Sequence, residues 1–188
     1  MSLTGFGPMV TMTDDDIFKV NISEAIDRCF DDSSIPADEK PKLAIIMGGV
    51  AVGKTTLRNL HFAGGYVPLD AGDIFIDISQ GNYLPFPGPL EEALVVIGNC
   101  VATRALAERR NIVMELIGMD QEVLHELIDT MERLGYSVSG QFVKCDDETA
   151  QQRNLERGDD NISCYYAEPY HLQWLIDAAR DEIAKGMA

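Results

Sequence analysis

An α/β fold, with a parallel sheet covered by helices on both faces, is what this sequence predicts, on three observations. Short apolar runs alternate with stretches of helical spacing along the 188 residues, as strand–helix–strand units do. One run, Leu43-Ala44-Ile45-Ile46-Met47, leads straight into Gly48-Gly49-Val50-Ala51-Val52-Gly53-Lys54-Thr55-Thr56, a complete G-x-x-x-x-G-K-[ST] loop that opens a helix. Finally, Asp70, Asp73, Glu115 and Cys145 fall at the carboxyl ends of the expected strands, where open parallel sheets bind ligands.

Taken in order, residues 1–12 read as a flexible tail and 13–188 as a single domain. Residues 13–30 predict a helix: Thr13 with Asp16 makes an N-terminal cap, and Phe18, Ile22, Ala25, Ile26 and Cys29 recur at helical spacing. An acidic, Pro-containing link, 31–41, precedes the first strand. The helix after the loop ends at Gly64-Gly65, and Tyr66-Val67-Pro68-Leu69 gives a second strand. Residues 74–89 mix glycine, proline and aromatics (Tyr83, Phe86) and read as a substrate-side loop. A long helix over 90–109 and a third strand, Asn111-Ile112-Val113-Met114-Glu115, follow. Asp120 caps a helix to Leu134, stopped by Gly135; 136–144 is a fourth strand, 147–156 a helix, and 169–185 a last helix. Residues 157–166, with Gly158-Asp159-Asp160-Asn161, read as a short lid.

Composition narrows the function classes. Fifteen basic against 31 acidic residues give a net charge of −16, which argues against nucleic acid and anionic lipid as partners, since both need a basic surface. No apolar run reaches the ~18 residues of a membrane span, and the first residues lack a signal-peptide pattern; a cytoplasmic protein is expected. Cys29, Cys100, Cys145 and Cys164 are scattered, with no C-x-x-C pair, so reduced, mostly packed thiols are expected. His61, His125 and His171 show no metal-ligand spacing.

The loop carries the chemistry. Its glycines let backbone N–H groups close around a phosphate at a helix N-terminus. Gly48 through Thr56 would cradle a nucleoside triphosphate, Lys54 would hold its β- and γ-phosphates, and Thr55 would sit on Mg²⁺. Phosphoryl transfer further needs a group for the acceptor and positive charge on the migrating phosphoryl. Asp73 is the candidate base or orienting group, with Asp70 as competitor; the bland roles are turn capping for Asp70 and capping a short helix at Ile74 for Asp73. Glu115 is placed to bind Mg²⁺ through water or to hydrogen-bond the acceptor, against a solvent-facing strand end. Arg153 and Arg157, four apart on one helix face, are candidates to neutralise the phosphoryl; otherwise they pair with Asp146, Asp147 or Glu156. Arg58 reads as structural and Trp174 as packing.

The order of these motifs resembles the zeta-toxin family of small P-loop kinases: the loop, then Asp70-Ala71-Gly72-Asp73-Ile74-Phe75, then Asn111-Ile112-Val113-Met114-Glu115, then Gly135-Tyr136-Ser137-Val138, then Arg153 and Arg157. The resemblance implies a three-layer P-loop kinase fold. It implies transfer of the γ-phosphate of ATP or GTP, with Mg²⁺, to a hydroxyl of a small molecule, a UDP-linked amino sugar in the toxin members. Asp73 would be the base, Lys54 and Thr55 the phosphate and metal contacts, and Arg157 the lid arginine; a toxin would have a protein antitoxin as partner. Two other readings stay open: a nucleotide, nucleoside or polynucleotide kinase, and a non-catalytic nucleotide-binding regulatory module.

Overall fold

A computed structural model describes residues 20–34, 40–80, 86, 88–117, 121–156 and 170–186. Its helices and strands run in the order α1 (Ile22–Arg28), β1 (Lys42–Met47), α2 (Lys54–His61), β2 (Tyr66–Pro68), α3 (Ala71–Ile78), a 3₁₀ turn (Gly88–Leu90), α4 (Glu91–Ala107), β3 (Asn111–Leu116), α5 (Gln121–Arg133), β4 (Ser137–Phe142), α6 (Asp147–Glu156) and α7 (Tyr170–Gly186).

The four strands form one sheet in the order β2-β3-β1-β4, and every pairing is parallel. Alternate side chains of a strand face opposite sides of a sheet, and β1 sorts accordingly. Leu43 and Ile45 join Ile112, Met114 and Leu116 in the main core. There Leu94, Ile97 and Val101 of α4, Leu127 of α5, and Leu172 and Leu175 of α7 meet them. Ala44, Ile46 and Val113 point the other way, under Leu57 and Phe62 at α2. Helices therefore cover both faces, as expected of an α/β protein. At one edge, β4 is largely exposed, with Phe142 open at 63 %.

Two segments differ from expectation. Within the span expected as one helix from residue 13, the described helix starts at Ile22: Asn21 is extended (φ −78°, ψ 92°) and its side chain accepts from Glu24 N. A cap at Asn21 outcompetes continuation because its oxygen satisfies a donor that a helix start would leave bare. Thr13, Asp16 and Phe18 lie outside the described residues. The stretch expected as a loop from Ile74 is helical through Ile78, because Ala71, Ile74, Phe75 and Ile78 recur at helical spacing and all are buried. Only beyond it does the aromatic segment follow; Phe86 packs edge-on against Phe75 at 5.0 Å between centroids, and Tyr83 lies outside the described residues. The thiols split: Cys29 is half-buried, and burial pushes it up to about 11, while Cys100 is exposed rather than packed.

Candidate active site at the phosphate loop

The loop sits where the strand order reverses. β1 lies between β3 and β4, so the residues following Met47 emerge at a crevice walled by both neighbours. Gly48 N donates to Leu116 O at the end of β3, and Val143 N just past β4 donates to Met47 O. The approach is tight enough to demand glycine: a Cβ at Gly48 would stand 2.5 Å from Val143 O. Gly48→Ala should thus push the loop off β4 and weaken nucleotide binding at least tenfold, about 1.4 kcal/mol, measurable by titration calorimetry; unchanged affinity would show that the close approach is dispensable.

α2 opens at Lys54, whose side chain turns back into the loop and is buried, 6 % exposed. Its Nζ donates to Gly48 O (3.1 Å) and Gly49 O (2.7 Å), so the ammonium is held at the mouth of the cradle. Thr55 follows, and its Oγ1 donates to Glu115 Oε2 at 3.0 Å.

Glu115 is a finding against the bland alternative. It is not a solvent-facing strand end but 9 % exposed, in the last turn of β3's pleat before Leu116. Its Oε1 lies 3.3 Å from Arg58 Nε yet accepts no hydrogen bond among the described residues. Burial is the first cause raising its pKa, and Arg58 opposes the rise. A hydroxyl and a carboxylate with an unspent buried oxygen, side by side at the phosphate loop, are the hard oxygen donors that Mg²⁺ and its waters use, so the residues fit that ion.

The two aspartates separate by role. Asp70 is the N-cap of α3, accepting from Gly72 N (2.8 Å) and Asp73 N (3.1 Å). Asp73 is therefore not a cap. It lies inside the first turn, half-exposed, with Oδ2 held 2.6 Å from Arg58 Nη1. Burial, then Asp70, push its pKa up, while Arg58 pulls it down. Below both acids, His171 of α7 joins their supports: Ala71 N donates to its Nδ1, and its Nε2 lies 2.8 Å from Glu115 O. With Nδ1 accepting, the proton resides on Nε2 and is donated to that carbonyl.

Arg58, read from the sequence as structural, has a structural role of a particular kind: it is buried between Asp73 and Glu115 and pairs with both. The available signal was its position one turn past the loop; nothing local revealed its partners. Arg153 of α6 is exposed and stands over the loop, its Nη1 3.9 Å from where a Gly53 Cβ would lie. Arg157, the expected lid arginine, and the lid at 157–166 lie outside the described residues. A cleft of about 620 Å³ runs beside the loop between Ala51, Val52, Gly53, Thr56, Leu57, Leu60, Val143, Arg153 and Glu156. A smaller hollow of about 250 Å³ borders Asp73, Arg58, Asn59, Phe62 and Tyr66.

Fold and loop together define a class: this is an α/β protein with a P-loop kinase-like fold. Among solved structures, it is similar to a chain from the PezAT chromosomal toxin–antitoxin system of the human pathogen Streptococcus pneumoniae. The two are 18 % identical, with a TM-score of 0.55 over 93 % of this chain and 75 % of that one. At that identity the likeness is one of fold, and it meets the zeta-toxin resemblance drawn from the motifs. No protein-family model matches the sequence, and no curated protein matches it. Among the described residues, no helix is long and apolar enough to cross a membrane.

Proposed function

We propose that the protein is a kinase that transfers the γ-phosphate of ATP or GTP to a hydroxyl of a small molecule, a sugar or UDP-sugar being the first acceptors to try. The observation that carries this reading is the Thr55–Glu115 hydrogen bond beside an Arg58-held Asp73. Phosphate-side and acceptor-side acids thus converge on one loop, which nucleotide binding alone would not need.

Residues Gly48 to Thr56 take the triphosphate, and the 620 Å³ cleft, within the ~300–1,000 Å³ of ligand sites, takes the nucleoside. Leu57, Leu60 and Val143 form the apolar side of that cleft and Arg153 a charged one. Lys54 exchanges its loop carbonyls for phosphate oxygens and neutralises charge that builds during transfer. Thr55 and Glu115 would hold Mg²⁺, which supplies charge neutralisation on the phosphates. Asp73 orients the acceptor hydroxyl. As that oxygen bonds to the γ-phosphorus, the bond to the β–γ bridging oxygen breaks and the nucleoside diphosphate leaves. The hydroxyl proton passes to Asp73, and Arg157 carries the lid's charge. The likeness to a toxin–antitoxin chain supports a protein antitoxin as partner.

The test is acceptor-dependent release of ADP from Mg-ATP across UDP-sugars, simple sugars and nucleosides, with Lys54→Ala and Asp73→Asn alongside. Turnover with one acceptor, cut ~10²–10³-fold by Lys54→Ala, is the expected result. Tight nucleotide binding with no acceptor-stimulated turnover would instead identify a regulatory nucleotide-binding module.

A further inference from the structure

One buried charge has no task in that chemistry. Arg58 is 8 % exposed, and a buried guanidinium is costly to desolvate: an apolar side chain of similar volume often serves stability as well or better. Its geometry points to a task beyond packing. Arg58 belongs to α2, the same helix that presents Lys54 and Thr55. Asp73 belongs to α3, reached through the β2 end, and Glu115 to β3. Nη1 takes Asp73 Oδ2 at 2.6 Å, and Nε faces Glu115 Oε1 at 3.3 Å. One planar group therefore ties two separately supported acids to the helix that holds the phosphates.

We infer that Arg58 is a positioning residue that sets the Asp73 carboxylate against the phosphoryl group held by Lys54 and Thr55, with Glu115 as its second anchor. The inference rests on the phosphotransfer reading above. Lysine cannot substitute fully, because an ammonium lacks the rigid fork that addresses two carboxylates in one plane. Since Oδ2 is engaged, Oδ1 is the oxygen left to accept from the incoming hydroxyl. The rate then depends on Arg58 through geometry: an error of ~1 Å in such an alignment costs on the order of 10²-fold.

The experiment is a double-mutant cycle in the acceptor assay on the full chain. Arg58→Met, which keeps an unbranched stem in the buried site, should lower kcat about 100-fold with the KM for acceptor and the Kd for Mg-ATP within about threefold. Arg58→Lys should recover part of that loss. Combined with Asp73→Asn, Arg58→Met should cost nothing further, because a residue acting through Asp73 has no effect once Asp73 is gone. Multiplicative losses in the double variant, or a loss of nucleotide affinity as large as the loss of kcat, would overturn the inference. Should Arg58→Met fail to fold, Arg58→Lys closes the same cycle. A wild-type protein inert with every acceptor would bring down the kinase reading and this inference together; an active wild type with multiplicative losses brings down the inference alone.

Discussion

Asp73→Asn is expected to lower acceptor-dependent turnover by ~10²–10⁴-fold, the usual contribution of a positioned general base, while nucleotide affinity stays at the wild-type value. The pH profile carries a second part of the same prediction. Asp73 must be ionised to accept the proton, and its pKa is raised, by burial first and then by Asp70, against the pull of Arg58. The acid limb of kcat/KM should therefore fall away at a higher pH than an ordinary aspartate would give, and move higher again in Arg58→Met. The sign for stability runs the other way. A carboxylate whose folded pKa lies above its unfolded value contributes stability that is full below the unfolded value and lost as pH rises through the folded one. At neutral pH the ionised Asp73 thus offsets part of what its pairing with the buried Arg58 contributes, and Asp73→Asn, which keeps a side-chain oxygen facing that guanidinium, should melt close to the wild type by thermal denaturation. Inactivity without destabilisation marks a catalytic role. A variant that melts early would mean that Asp73 holds the fold together, and an acid limb at the ordinary aspartate position would remove Asp73 as the base.

The largest stability effect should come from the contact between α4 and α7. A Cβ at Gly98 would stand 2.3 Å from the six-membered ring of Trp174, which is itself buried, 4 % exposed. The missing side chain lets the indole lie directly on the helix backbone. Trp174→Ala removes that ring and leaves a cavity, and should cost about 3–5 kcal/mol, a large share of the ~5–15 kcal/mol by which a domain is stable. Gly98→Ala should cost ~1–3 kcal/mol by overpacking. The two losses should not add: with Trp174→Leu in the background, Gly98→Ala should cost little, since the ring it collides with is gone. Urea midpoints of the wild type, Gly98→Ala, Trp174→Leu and the double variant measure this. An unchanged midpoint for Gly98→Ala alone would show that the helices slide apart freely. The consequence reaches the site, because His171, under Glu115 and Ala71, lies on the same helix as Trp174.

How much of this was legible beforehand varies residue by residue. Glycines, lysine and threonine within nine consecutive positions specify a phosphate cradle because its ligands are neighbouring backbone and side-chain groups. The β1 and β3 strands were equally plain, being short apolar runs bounded by turns. The α3 helix is legible only as a short alternative at Ile74 capped by Asp73, because a proline- and glycine-rich tail masks four residues of clear helical spacing and Asp70, its cap, reads as a turn. The break at Asn21 went unseen because Thr13 offered an earlier cap of the same chemistry.

By itself, the sequence determined that this protein has a parallel α/β architecture and a P-loop of the nucleotide-binding kind, since both follow from periodicity and contiguous residues. Only the tertiary structure shows how the candidate acids Asp73 and Glu115 are held beside that loop. Thr55 meets Glu115 across 60 positions and Ala71 meets His171 across 100. Arg58, unremarkable among its neighbours in the chain, gains its meaning from two carboxylates delivered by other elements, Asp73 by α3 and Glu115 by β3. Such pairings depend on which strand ends the sheet order β2-β3-β1-β4 brings to one crevice, and no local pattern encodes that order.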